Sequence, residues 1–197
     1  MASAGELLNM PISMNWIALV VLVAVVIYGL AIFNRLIRSR NMVREAWSGI
    51  DVQLRRRSDL IPNLIEAVKG YASHERGVFD DVTAKRATTL NAQGVAQAAS
   101  SETALQGALG RLLAVAESYP QLKADENFLA LQKELAEIED QLQMARRYYN
   151  GTVRDFNIAI QSFPNALVAH ALGMREEHFF ETDAASRNAP TVSLSGA

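Results

Sequence analysis

The stretch DVQLRRRSDLIPNL, Asp51 to Leu64, decides how this chain folds. It sets three arginines, an aspartate, an apolar pair and a proline inside what otherwise reads as a long amphipathic helix. Apolar residues before it (Val43, Trp47, Ile50, Leu54) and after it (Ile61, Leu64, Val68, Tyr71) step by three, four or seven, which is one stripe of a helix. Pro62 lacks an amide hydrogen and crowds the preceding turn. Either one long helix kinks near Ser58, or one helix ends and another starts with Pro62 in its first turn. Asp59 is a good N-cap residue and favours the second reading locally. The stripe keeps its phase across the proline, which favours the first. The expectation is a kinked, nearly continuous helix from Arg40 to about Leu90, with Val78 and Val82 on the same stripe. Such a helix spans on the order of 75 Å. Shorter helices cannot match it, so part of it is expected to form a stalk between a membrane and a bundle.

The dense charge has a plain reading. Arg55, Arg56 and Arg57 point from different faces of a helix and cannot form one patch. Arg55 can pair with Asp51 or with Asp59, each four residues away on the same face. Such exposed pairs contribute a few tenths of a kcal/mol. Arg57 is different, because it falls where the apolar stripe should continue. It needs a partner across the bundle, with Glu117 or Glu134 as candidates, or else it marks the bend at Pro62 as a polar joint. A polar residue on a seam can also specify register between subunits. Asp51, Arg55, Arg57, Asp59 and Pro62 are therefore the candidate joint or interface.

Working outward to the N-terminus, no residue from Leu7 to Asn34 is charged. The run WIALVVLVAVVIYGLAIF, Trp16 to Phe33, is close to the roughly 20 residues that cross a bilayer as a helix. A helix is the form that satisfies its backbone inside lipid, and Trp16 and Tyr28 suit headgroup regions. A cleaved signal peptide would need a basic region before the run and a small-residue cleavage site after it. Neither is present, so the run is expected to be an uncleaved anchor. Arg35, Arg38, Arg40 and Arg44 crowd its C-terminal flank, whereas Glu6 is the only charge before it. The positive-inside rule places the N-terminus outside and the rest in the cytoplasm. Near an anionic surface each arginine adds roughly 1 kcal/mol of attraction.

Working outward to the C-terminus, NAQGVAQAASSE (Asn91 to Glu102) reads as a turn, with Ser100 or Ser101 capping the next helix. That helix carries Leu105, Leu109, Leu112, Val115 and Tyr119 and stops at Pro120. From Asp125, the residues Phe128, Leu131, Leu135, Ile138, Leu142, Ala145 and Tyr149 alternate steps of three and four, a heptad seam of the coiled-coil kind. FPN (Phe163 to Asn165) ends it, and a short helix such as Ala166 to Met174 follows. The expected fold is all-α: a tail (1–14), a transmembrane helix (15–34), an antiparallel four-helix-type bundle (35–180) and an extended or disordered tail (181–197).

Composition narrows function. Lys+Arg (19) and Asp+Glu (21) nearly balance, which argues against a nucleic-acid binder. Without cysteine there is no disulfide or thiolate chemistry. His74-Glu75 is followed by Val78 four residues after the histidine, so no H-E-x-x-H zinc motif occurs. Glu134-x-x-Glu137 and Glu177-His178 do not fit the Glu-x-x-His motif of di-iron bundles. Gly70, Gly77, Gly107 and Gly110 form no phosphate-binding fingerprint. Ser73 and His74 are adjacent, but no third group orients them. No catalytic residue, cofactor or metal is expected. Tyr148 and Tyr149 read as rim and core.

Three segments resemble the LemA family of bacterial membrane proteins: RNMVREAWSGIDVQLRRRSDLIPNLIEAVKGYASHE (Arg40 to Glu75), LLAVAESYPQLKADENFLALQKELAEIE (Leu112 to Glu139) and ARRYYNGTVRDFNIAIQSFPNALVA (Ala145 to Ala169). The resemblance runs from the anchor to about Glu181. It implies an N-terminal transmembrane helix and a cytoplasmic four-helix-type bundle. It carries little about activity, beyond relatives linked to membrane organisation, a magnetosome-membrane protein among them. The chain departs from the family in its long N-terminal tail and in Gly49, where a polar residue is frequent.

Two functions follow. One is a non-enzymatic, membrane-anchored scaffold that self-associates or binds other membrane proteins to organise or remodel the bilayer. Small residues in the span (Ala18, Ala24, Gly29, Ala31) allow close helix packing, although no G-x-x-x-G occurs. The other is a ligand-binding or signalling protein, or an enzyme, with a polar site among Arg57, His74 and the bundle carboxylates.

Overall fold

The computed structural model describes residues 14–181, and the tails expected at either end lie outside them. Helices α1 (Met14–Lys69), α2 (Arg76–Leu90), α3 (Gly94–Glu117), α4 (Pro120–Lys123), α5 (Glu126–Gln161) and α6 (Asn165–Ala171) follow one another. No strand occurs among the described residues, so the fold is all-α as expected.

Of the two readings of the opening stretch, the continuous helix is the one found: α1 runs through Pro62 for 56 residues. The proline removes the amide that would donate to the Ser58 carbonyl. Arg86 of α2 supplies the missing donor, with Nε 2.6 Å from that oxygen. The helix does not, however, reach Leu90. It ends at Lys69, and the chain reverses through residues 70–75, where the Tyr71 and Ala72 amides donate to the Val68 carbonyl at 3.0 and 2.9 Å. The stripe keeps its phase across this break because both helices bury it in one core: Ile61, Leu64 and Val68 of α1 meet Phe79 and Val82 of α2. With α2 folded back, the length argument for a stalk falls.

The turn expected from Asn91 to Glu102 is also shorter. It closes within residues 91–93 and at Gly94, whose φ of 76° suits a residue without a β-carbon. Gln97 accepts the Gln93 amide at 2.7 Å. The alanine-rich VAQAASSE is the first part of α3, as alanine's helix propensity favours. Ser100 and Ser101 thus lie inside α3 and do not cap it, and Ala98, Ala99, Leu105 and Leu109 share its buried face. At α5 the expected start holds, since the Phe128 amide donates to Asp125 Oδ1 at 2.9 Å. Phe128, Leu135, Ile138, Leu142, Tyr149 and Phe156 are buried at the seam positions.

The described residues form two compact units. One unites 14–41 with 156–176; the other unites 42–155 with 177–181. In the second, α1 and α5 run antiparallel. The Trp47 ring meets Tyr149 edge-on at 5.8 Å, Arg57 meets Glu139, and the Tyr71 hydroxyl donates to Asp125 at 3.4 Å. Helices α2 and α3 are also antiparallel, tied by Asp81–Arg111 and by Thr89 donating to the Ser101 carbonyl at 3.4 Å. In the first unit, the apolar run of α1 stands open: Ile17, Val20, Leu22, Val25 and Leu30 are all exposed.

Candidate functional site

The site is built where charged residues interrupt the buried stripes of α1 and α3 and stand beside the seam of α5. On α1 the buried positions Ile50, Leu54, Ile61 and Leu64 leave Arg57 on the same stripe. On α3 the stripe Ala98, Leu105, Leu109 holds Glu102. Beside Ile138 and Leu142 of α5 stand Glu139 and Arg146. Arg57 Nη1 donates to Glu102 Oε1 and lies 2.9 Å from Glu139 Oε2. Arg146 Nη2 is 3.7 Å from Glu102 Oε1, a charge contact beyond hydrogen-bond reach. The Arg57 and Glu102 side chains are 5% and 0% exposed, so this pair is desolvated. Two guanidinium and two carboxylate groups make a quartet with no formal net charge.

The partners differ from those expected. Glu117 and Glu134 are exposed. Glu117 lies four turns along α3 from Glu102, roughly 22 Å at the helical rise, and Glu134 is off the buried face of α5. Glu102 escapes the sequence reading because it ends the stretch expected to be a turn. The signal that finds it is the one that found Arg57, a charge interrupting an apolar stripe, once α3 is extended back to Gly94.

Burial dominates the electrostatics. It pushes the Glu102 carboxyl above its ordinary value, against the attraction of Arg57 and Arg146 and with the help of Glu139. It also lowers Arg146, which Glu102 and Glu139 hold up in part. Hydrogen bonding is incomplete: Arg57 Nε, Glu102 Oε2 and Arg146 Nε have no partner among the described residues, and Glu139 Oε2 receives no well-directed bond despite its short distance to Arg57. Arg57 and Glu139 also border a mostly apolar groove of about 330 Å³ between α3 and α5, lined by Leu109, Leu113 and Leu135. Chemically, the arrangement can lock three helices in one ionic register, or offer a polar end to a ligand lying in the groove.

The other expected residues are not brought to the quartet. Arg55 pairs with Asp51 at 3.0 Å on the surface. Asp51, Arg55 and Asp59 line a separate cleft of about 470 Å³ beside Trp47. Pro62 acts through Ser58 and Arg86, as described above. Arg35, Arg38 and Arg44 are exposed on α1 just beyond the apolar run, and Arg40 is half-buried.

A further contact had no precedent in the sequence reading. Residues 177–181 lie along α5 as an ordered strap. Asn150 donates from Nδ2 to the Phe180 carbonyl at 3.2 Å and accepts the Phe180 amide at 2.8 Å. Tyr149, its phenol pushed up to about 12 by burial, donates to the His178 carbonyl at 2.9 Å. The Phe180 ring packs 6.2 Å from Trp47 and takes the Arg146 guanidinium over its face at 5.1 Å. The strap therefore abuts one member of the quartet. Tyr149 and Tyr148 are core and rim as expected, but Tyr149 and the neighbouring Asn150 also hold the chain's own later segment.

Among the described residues all regular structure is helical, one helix is apolar and long enough to cross a membrane, and charges are locked inside a compact unit, the make-up of a membrane-associated helical protein. It belongs to the LemA family, whose model matches residues 46–194. Magnetosome protein MamQ 2 of Paramagnetospirillum magneticum is 26% identical over 160 residues, which cover 68% of this chain and 59% of that protein. Magnetosome protein MamQ of Magnetospirillum gryphiswaldense is 24% identical over 159 residues, 68% of this chain and 58% of that one. Protein LemA of Metamycoplasma hominis is 26% identical over 158 residues, 78% and 71% of the two chains. The chain thus spans just under three-fifths of the length of these MamQ relatives.

Proposed function

We propose that this chain is a non-enzymatic scaffold, anchored in the bacterial inner membrane by α1, whose helical unit self-associates or binds other membrane proteins. The observation that carries the reading is that α1 is one unbroken helix. Its first half exposes an apolar run that only lipid suits, and its second half bears Arg57, locked to α3 and α5. The N-terminus lies outside and the helical unit inside, on the strength of the four arginines after the run. C-terminal reporter fusions test the orientation: a cytoplasmic reporter is expected to be active and a periplasmic one silent. Native electrophoresis and mass spectrometry of detergent-extracted protein test association. A strict monomer with no co-purifying protein would sink the scaffold.

A second reading is favoured by the groove that ends at Arg57 and Glu139. Its apolar walls and incompletely bonded polar end suit an amphipathic ligand with a polar head. A thermal-shift screen of the intact protein with short fatty acids and related amphiphiles decides it. A blank screen removes this reading and leaves the scaffold standing.

A further inference from the structure

The first compact unit contains a second apolar surface, apart from the run of α1. Ile32 and Leu36 are 7% and 0% exposed, although the large apolar side chains before them on α1 stand open. Both belong to the unit formed by 14–41 and 156–176, within which Phe156, Ile160 and Ala169 are buried as well. The segment 156–176 clusters with 14–41 in this unit, and burial along α1 begins at Ile32, two positions before Asn34 and three before Arg35, where the uncharged run ends. That is the level at which a helix crossing a bilayer leaves the hydrocarbon for the headgroups. In the same segment Phe163 is 83% and Leu167 66% exposed, more than Val20, the most open large apolar side chain of the run at 64%. Single exposed apolar residues are ordinary. These two share a stretch, Phe156 to Ala169, that holds no Asp, Glu, Lys or Arg.

We infer that the tip joining α5 to α6 is a second lipid contact, seating Phe163 and Leu167 in the headgroup region beside the cytoplasmic end of the span. The inference rests on the membrane-anchored reading above and deepens it. Lipid is the occupant because the tip belongs to the same compact unit as an apolar run that already requires lipid, and because burial along that run begins only at its interfacial end. An aromatic and an aliphatic side chain on an uncharged tip suit that layer. The consequence is that α5 is held to the bilayer at its C-terminal end.

The full chain has no cysteine, which makes site-specific labelling direct. Phe163→Cys and Leu167→Cys are each labelled with an environment-sensitive fluorophore. The protein is then reconstituted in vesicles of phosphatidylcholine and phosphatidylglycerol, with Val25→Cys as the span reference. Lipids carrying a shallow nitroxide are expected to quench positions 163 and 167 roughly twofold more than lipids carrying a deep one, with the reverse order at position 25. Aqueous iodide is expected to quench 163 and 167 weakly. If both labels are open to iodide and untouched by nitroxide lipids, the tip is in water and the inference fails. If they are shielded from both quenchers, a second copy or another protein covers the tip, and the inference fails equally. A quenched Val25 label in either case confines the failure to the tip. A Val25 label that no lipid quenches overturns the anchored reading and the tip contact together.

Discussion

Within the RRR run, residues of one type two positions apart have different fates. Arg55 lies on the surface with Asp51, and Arg57 is buried against two carboxylates. Coulomb attraction in water is about 1 kcal/mol at 4 Å and several times that in a desolvated setting. Removing one partner of a buried pair leaves the other charge uncompensated and costs about 3–5 kcal/mol. Arg57→Ala is therefore expected to lower unfolding free energy by that amount, and Arg55→Ala by about 0.5 kcal/mol or less. Urea denaturation of the two variants checks the contrast; equal effects would contradict the quartet. Replacing Arg57 and Glu102 together by Met and Leu should recover much of the loss, since a buried ion pair often does no better than apolar residues of similar volume.

Glu102 adds a pH dependence at the same scale. Burial holds its carboxyl above the ordinary value of 4.5. A carboxyl raised on folding contributes stability that is fully present below its unfolded value and is lost as pH rises through the folded value. Glu102→Gln cannot ionise and escapes that loss. Its urea midpoint is expected to gain on the parent's as pH increases from 4.5 towards neutrality. A variant that falls behind the parent over that window would show Glu102 to be stabilised as an anion.

Among the elements, the decisive partnership joins α1 to α2. The Ser58 carbonyl is buried and Pro62 offers it no amide, so the Arg86 guanidinium is its donor. Losing a hydrogen bond to a charged group costs about 1.5–3 kcal/mol, which is the expected effect of Arg86→Ala. Pro62→Ala restores a backbone donor, and in that background Arg86→Ala should cost clearly less. A double-mutant cycle measures the coupling, and additive effects would refute it. The strap on α5 makes a separate case. Asn150→Ala removes both hydrogen bonds to Phe180, and the Phe180 amide should exchange roughly five- to tenfold faster with deuterium. Unchanged exchange would mean that the ring contacts alone hold the strap.

For the whole molecule, the prediction concerns assembly. A buried, hydrogen-bonded charge group can fix one register among several that an apolar seam would allow. If the scaffold assembles through its helical unit, Arg57→Ala should broaden or shift the oligomer distribution of detergent-extracted protein on native electrophoresis while leaving membrane insertion intact. An unchanged distribution would confine the quartet to internal stability.

Legibility differed by feature for physical reasons. The apolar run and the seam of α5 were readable because each is a long, local, periodic pattern, and burial needs nothing more specific than that. The course of α1 past Pro62 was readable as phase, yet the reversal at residues 70–75 was not, because α1 and α2 present the same stripe to the same core. Arg57 announced itself as a charge on an apolar stripe. Its partners did not, since they lie 45 residues away on α3 and across on α5, and one falls at the end of a stretch whose composition suggests a turn. Asn150 and Arg86 gave no signal at all: their targets are backbone carbonyls and an amide that only the folded chain brings near them.

By itself, then, the sequence determined the helical class, the apolar helix, the start of α5 near Asp125 and the anomalous position of Arg57, all of which depend on spacing along one segment. The tertiary structure alone decided which carboxylates meet that arginine, what replaces the proline's missing donor and where the C-terminal strap lies. Those choices rest on desolvation and hydrogen-bond geometry between segments distant in the chain, and no local pattern encodes them.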